Sequence, residues 1–181
     1  MRNVMRVGAI ACAVVGIVPV ASAGAALPTG GGKTIVPGVS IAGVKPGMTP
    51  EQVTALWGAP ETIRGISYWK ADPGPSLSTG HISVKFLGGK AAEIVLVSPY
   101  KSSIGRTQPF FTGPLLAYKT SKRIGIGSTK VAAAKAYPKA RLVRGNLIFK
   151  GAGGTMQFLS VDARGGDPAA KRIYRIRLTA G

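Results

Sequence analysis

Val53, Leu56 and Trp57 recur at i, i+3 and i+4, the spacing that gathers apolar side chains on one face of a helix. Thr49 ahead of them suits an N-cap, Pro50 suits the first helical position, and Gly58 with Pro60 makes a stop. The pattern predicts a short amphipathic helix over Thr49–Trp57. A period of two follows. In 65–70, Ile66 and Tyr68 alternate with Ser67 and Trp69; in 81–87, Ile82, Val84 and Phe86 alternate with His81, Ser83 and Lys85. Residues 92–98 form a third, more continuously apolar run. Gly88-Gly89 reads as a hairpin turn because paired glycines supply positive φ, and Ala71-Asp72-Pro73-Gly74-Pro75 reads as a second turn.

The same order returns further along. Gly127 and Thr129 stand eighty positions after Gly47 and Thr49, and Thr129–Tyr137 reads as an Ala-rich helix stopped at Pro138. Tyr137 takes the place of Trp57, and Ile148-Phe149-Lys150 that of Tyr68-Trp69-Lys70. Strands are expected at 142–144, 146–150, 155–161 and 173–178, with glycine turns between them. The expected fold is α+β: two tandem repeats, 41–98 and a basic 122–181, each a short helical segment packed on one face of an antiparallel β-meander. Residues 24–40 read as a flexible linker and 99–121 as the connection between repeats.

A helix on one side of each meander leaves the other sheet face to solvent. Taking Ile66, Tyr68, Ile82, Val84, Phe86, Ile94, Leu96, Ile148, Phe158, Tyr174, Ile176 and Leu178 as buried puts Trp69, His81, Lys85, Phe149, Arg175 and Arg177 on the open face. Aromatic and arginine side chains together are what protein interfaces favour. The alternative is that Trp69 and Phe149 complete a second core, and a one-residue slip in phase would exchange the two faces.

The run Gly-Met-Thr-x-x-x-Val-x-x-Leu-x-Gly-x-Pro, from Gly47 to Pro60, and the Tyr68-Trp69 strand resemble the repeat of the β-lactamase-inhibitory-protein-like fold. That group includes the small lipoproteins of outer-membrane assembly. Gly127-Ser128-Thr129 with Ala136-Tyr137-Pro138 looks like a second such repeat, so the resemblance covers about 41–181. It implies a protein-binding or inhibitor-like role and no catalytic centre. The chain departs from the group in having neither a lipobox cysteine nor paired cysteines.

Arg2 and Arg6, the apolar run from Val7 to Val20 and Ala21-Ser22-Ala23 match a signal peptide, 1–23, cleaved near Ala23. The run is shorter than the roughly 20 residues that cross a bilayer. The expectation is a secreted or cell-envelope-associated protein. Cys12 falls inside this leader, so the mature chain would have no disulfide, no cysteine metal ligand and no cysteine nucleophile.

Charge then divides the chain. Lys and Arg number 24 against six acids over 181 residues. Residues 24–100 hold six basic residues and four acids, whereas 101–181 hold sixteen basic residues against Asp162 and Asp167. Lys122, Arg123, Lys130, Lys135, Lys139, Arg141 and Arg144 form a candidate site for anionic cell-surface polymers or lipids, the alternative to a protein partner. No nucleic-acid reader motif accompanies them.

Candidates for chemistry are few. Gly30-Gly31-Gly32-Lys33-Thr34 departs from a phosphate loop because position 27 is Leu and neither flanking element fits. His81 is the single histidine, and with Asp72 and a serine it makes a poor triad. Neither a carboxylate pair nor clustered ligands suggest acid–base or metal chemistry. No cofactor, metal or small-molecule substrate is expected.

Overall fold

The structure is a computed structural model and describes residues 25–72, 79–103, 106–109, 111, 113–161 and 171–181. The expected leader, 1–23, lies outside the described residues, as do Asp162 and Asp167. Thirteen strands, two α-helices and a 3-10 turn at Pro114–Ala117 follow one another among these residues.

An eight-stranded antiparallel sheet is the frame. It comprises β3 (Glu61–Ile63), β4 (Ile66–Lys70), β5 (His81–Leu87), β6 (Lys90–Val97), β10 (Arg141–Val143), β11 (Asn146–Gly151), β12 (Gly154–Val161) and β13 (Arg172–Thr179). Their order is β10-β11-β12-β13-β6-β5-β4-β3, so two sequential runs of four strands meet at β13 and β6. A separate sheet holds β2 (Ser40–Ile41), β1 (Thr34–Val36) and β9 (Lys119–Thr120), the last parallel to β1. β7 (Tyr100–Ser103) and β8 (Arg106–Pro109) form a hairpin.

This corrects the α+β expectation of two repeats, each a helix packed on its own meander. The described chain is mostly β, and both runs of strands share one continuous sheet. The helices are short: α1 (Pro50–Trp57) has eight residues and α2 (Lys130–Ala136) has seven. Helical periodicity identified them correctly, but it cannot report how little of the fold so short a segment covers. The strands it missed lie in segments rich in Gly, Pro and Thr. There, pairing with distant chain decides the conformation, and local propensity does not. Within the expected linker, 24–40, Thr34–Val36 forms β1 and Ser40 opens β2, which Ile41 completes; Ile35 and Ile41 are buried.

The caps behave as read. The Thr49 hydroxyl accepts from the Gln52 amide while the Gln52 side chain accepts from the Thr49 amide, a reciprocal capping box. Thr129 accepts from the Ala132 amide in the same way.

One face of the large sheet builds a single core with the small sheet and both helices. Cross-strand register sets Trp69, Ile82, Leu96, Ile176, Phe158 and Leu147 in one row across six strands. Ser67, Val84, Ile94, Leu178, Met156 and Phe149 make the row beside it. Trp57 at the end of α1 meets Trp69 edge to face, with centroids 4.9 Å apart. Its indole N–H donates to the Ala42 carbonyl at 2.9 Å, and that of Trp69 to the Gly58 carbonyl at 3.2 Å. Tyr137 just after α2 packs on Phe149 and Phe158, at 5.7 and 6.1 Å. Both aromatic helix ends are thus core residues, as the sequence suggests.

Gly38 shows how tightly the small sheet is tied down. Its carbonyl accepts from the Gly153 amide at 2.8 Å, and a Cβ on Gly151 would lie 2.7 Å from the Gly38 Cα. Backbone meets backbone here, so neither glycine tolerates a side chain.

Truncating Trp69 removes the indole that closes the α1 end of the core. Trp69→Ala is expected to cost about 3–5 kcal/mol of unfolding free energy, read from urea denaturation. A loss below about 1 kcal/mol would mean that the indole is not packed in this way.

Candidate functional site

The second face of the large sheet carries three further rows and is open only in part, since Ser83, Val95, Val97, His81 and Lys70 within them are buried. One runs Arg141, Ile148, Gln157, Arg177, Val95, Ser83, Tyr68, Glu61 and touches all eight strands. The next runs Lys150, Thr155, Thr179, Glu93, Lys85, Ile66. The third sets Leu159, Arg175, Val97, His81 and Lys70 side by side.

Four of the six expected face residues are here. Lys85 and Arg175 are exposed, Arg177 is half-buried, and His81 is 8% exposed with its ring 5.2 Å from that of Tyr68. Trp69 and Phe149 are on the other face. Trp69 is 1% exposed in the core and Phe149 packs against Tyr137. The error is the one-residue phase slip in β4 and β11. Ile66, Tyr68 and Ile148, expected inside, stand half-buried on the open face. In both strands the apolar side chains are adjacent, as Tyr68-Trp69 and Leu147-Ile148-Phe149, so alternation fits either phase. A bulge explains one more departure: Ile173 takes the core position expected for Tyr174, next to a register shift at Leu159/Ser160. Phe86, beyond a shift at Lys85/Phe86, still packs against the core as expected.

Two ion pairs sit on this face. Lys70 is 1% exposed, and its ammonium lies 2.6 Å from the Glu61 carboxylate. Arg177 pairs with Glu93 across β13 and β6. Both described acids of the face are therefore engaged. No described acid lies within ion-pair reach of Lys85, Arg141, Lys150 or Arg175.

The seven cations expected to bind polyanions do not form one patch. Lys122 donates to the Ala136 carbonyl at 2.6 Å and lies 5.2 Å from the Tyr137 ring, completing the C-terminal end of α2. Arg123 occupies a turn at φ 60°. Lys130 opens α2 and Lys135 closes it. Only Lys139, Arg141 and Arg144 cluster at the outer strand β10. There Lys139 and Arg141 join Val143, Ile148, Phe149 and Lys150 around a groove of about 620 Å³. The sequence reading omitted Lys150, although its register with Thr155 puts it on the open face.

A second cavity, about 420 Å³, is lined by Leu27, Pro28, Thr29, Gly32, Lys33, Pro114 and Tyr118. The Tyr118 hydroxyl is buried without a hydrogen-bond partner among the described residues, and burial pushes its pKa above the usual tyrosine value. Neighbouring Lys119 is held below the usual lysine value, first by burial and then by Arg123, while its ammonium donates to the Ile126 carbonyl at 3.1 Å. The glycine segment ending at Lys33 thus borders this cavity, and Thr34 begins β1 with no helix after it.

No group of three His, Cys, Asp or Glu able to hold a metal occurs among the described residues. No helix among them is long and apolar enough to cross a membrane.

No protein-family model matches the chain, and no curated protein matches it. A solved structure with some likeness is an extracellular protein containing an SCP domain from Bacillus anthracis str. Ames, 13% identical with a TM-score of 0.36. The match covers 74% of this chain and 43% of that one, so the chain spans under half of its length.

Tyr118 gives the site a pH signature. A pKa raised by folding contributes stability that is present below the unfolded value, about 10, and is lost as pH rises through the folded value. Tyr118→Phe should leave stability at neutral pH unchanged or slightly higher and should be less sensitive to alkali. Urea denaturation of both proteins through about pH 8–11 reads the difference. Parallel losses would show that the phenol does not ionise out of a buried site.

Proposed function

We propose that the chain is an exported binding module without catalytic chemistry of its own, and that it receives a protein partner on the open face of the large sheet. The observation that carries the reading is the charge of that face. Glu61 and Glu93 are already paired with Lys70 and Arg177, while Lys85, Arg141, Lys150 and Arg175 form no ion pair with a described acid and share the face with half-buried Tyr68 and Ile148. Cations around exposed apolar and aromatic surface favour encounter with an acidic partner and supply anchors once docked. The resemblance of Gly47–Pro60 to the inhibitory-protein repeat is in keeping with a protein partner, and the leader expected from the sequence of 1–23 with export.

A second reading, retention by anionic envelope polymers or lipids, draws on Lys139, Arg141, Arg144 and Lys150. These cations gather around the end of the sheet, and residues 94–161 contain no acid at all. A charge-only attachment weakens steeply with salt and ignores the apolar part of the face.

The two readings separate in a pull-down from the envelope and culture medium of the source cells. On the first, Lys85→Ala with Arg175→Ala abolishes capture of one specific protein, and Tyr68→Ala weakens it as well. Capture that survives the double substitution would remove this face from the binding surface. Binding to anionic polymer that depends on salt and on Arg141 and Lys150, but not on Tyr68, would favour the second.

A further inference from the structure

The large sheet ends at β10, which pairs with β11 and leaves its other side without a described strand. Arg144 and Gly145 link the two strands at φ 48° and 81°. A two-residue loop with both φ values positive is a type I′ turn and closes on a hydrogen-bonded pair, here Val143 and Asn146. The next pair, Leu142 and Leu147, is therefore non-hydrogen-bonded. Leu142 turns its N–H and C=O outward, toward the free edge.

The side chains around this edge are unusual for it. Leu142 is 61% exposed and Val143 44%, among the few large apolar side chains that the described residues leave in solvent. Arg141 and Val143 lie on the open face beside Ile148, and with Lys139 and Lys150 they line the groove of about 620 Å³. A free main-chain pair, two apolar contacts and a rim of cations converge on one short strand.

We propose that β10 is a docking edge that takes an extended acidic segment of a partner protein as a ninth strand of the eight-stranded sheet. Leu142 supplies the main-chain hydrogen bonds. Acids of the incoming strand meet Arg141, Lys139 and Lys150, and its apolar side chains lie on Val143 and Ile148. Charge selects this occupant over a second copy of the chain. Antiparallel self-pairing centred on Leu142 sets Arg141 of one copy diagonally beside Arg141 of the other, on the same face, where like charges repel. The opposite edge, β3, has no such field, because its Glu61 is paired with Lys70.

The edge shares Arg141, Lys150 and Ile148 with the face, but Lys85 and Arg175 lie on β5 and β13, so substituting them tells failure of the edge from failure of the reading above. The probe is a fluorescently labelled peptide of alternating valine and glutamate, titrated against the full chain by anisotropy, with a valine–lysine peptide as control. The acidic peptide is expected to bind and the basic one not to. Leu142→Pro removes the outward N–H, at a position where an edge strand accepts proline, and should weaken binding roughly tenfold beyond Leu142→Ala, which shortens the side chain and keeps the N–H. Arg141→Glu should weaken it at least as much, while Lys85→Ala with Arg175→Ala leaves it unchanged. Should Leu142→Pro impair folding, hydrogen exchange on the unaltered chain decides, since the Leu142 amide must slow when peptide saturates it. An amide that stays fast, or equal binding by Leu142→Pro and Leu142→Ala, overturns strand addition and leaves charge attraction alone. A dimer in sedimentation that Leu142→Pro dissolves would give the edge to a second copy and overturn the peptide assignment.

Discussion

The antiparallel seam between β6 and β13 is the constraint on which the rest depends. Val97 to Glu93 pair with Arg175 to Thr179, joining strands about eighty residues apart into the centre of one sheet. Without it there would be two separate four-stranded meanders and no continuous core between them. With it, Leu96–Ile176 and Ile94–Leu178 carry the core rows from one run of strands to the other. The same seam aligns Val95 with Arg177 and Val97 with Arg175 on the far side, which is how cations from the end of the chain arrive beside Lys85 and Tyr68. A contact of such sequence separation has a high loop-closure cost and is repaid only once the flanking strands are in place.

A chain with so few acids must engage some of its cations by other means. Lys122 uses the Ala136 carbonyl, Lys119 that of Ile126, and Arg172 that of Gly127 at 2.9 Å, with Phe111 6.0 Å from its guanidinium. Carbonyls at helix ends and turns carry partial negative charge and take ammonium and guanidinium donors readily. Part of the positive charge is therefore structural. Net charge alone overstates what a ligand meets, and among the cations that remain are those at β10 and on the open face.

This division was only partly legible in the sequence. Caps, helix starts and most strands of the large sheet could be read, because Thr49, Thr129 and the alternating runs act locally. The small sheet could not, since Thr34–Val36 and Lys119–Thr120 are strands only through each other. Of the six face residues, Lys85, Arg175 and Arg177 reach solvent on that side of the sheet, and His81 lies there buried. Trp69 and Phe149 are on the other face, and the reason they were misplaced lies in their neighbours: Tyr68 and Ile148 are nearly as apolar, so hydrophobicity gives no phase. The deciding signals are the indole hydrogen bond from Trp69 to Gly58 and the aromatic at each helix end that needs a partner inside. Those are tertiary facts, and an argument from a strand by itself does not contain them.

The arginines around β10 bear a double reading that the geometry narrows. Charged residues on an edge strand commonly serve to prevent edge-to-edge aggregation, and Arg141 and Arg144 meet that description. Protection, however, works best when the edge is also short of apolar surface. Here Leu142 and Val143 remain exposed between the arginines, and Lys139 and Lys150 extend the positive rim along a groove instead of along the edge alone. Repulsion of like copies and attraction of an acidic strand are then two consequences of one field, because a rim of one sign excludes its own kind and admits its opposite. What distinguishes β10 from a merely guarded edge is the apolar pair that the guard leaves uncovered.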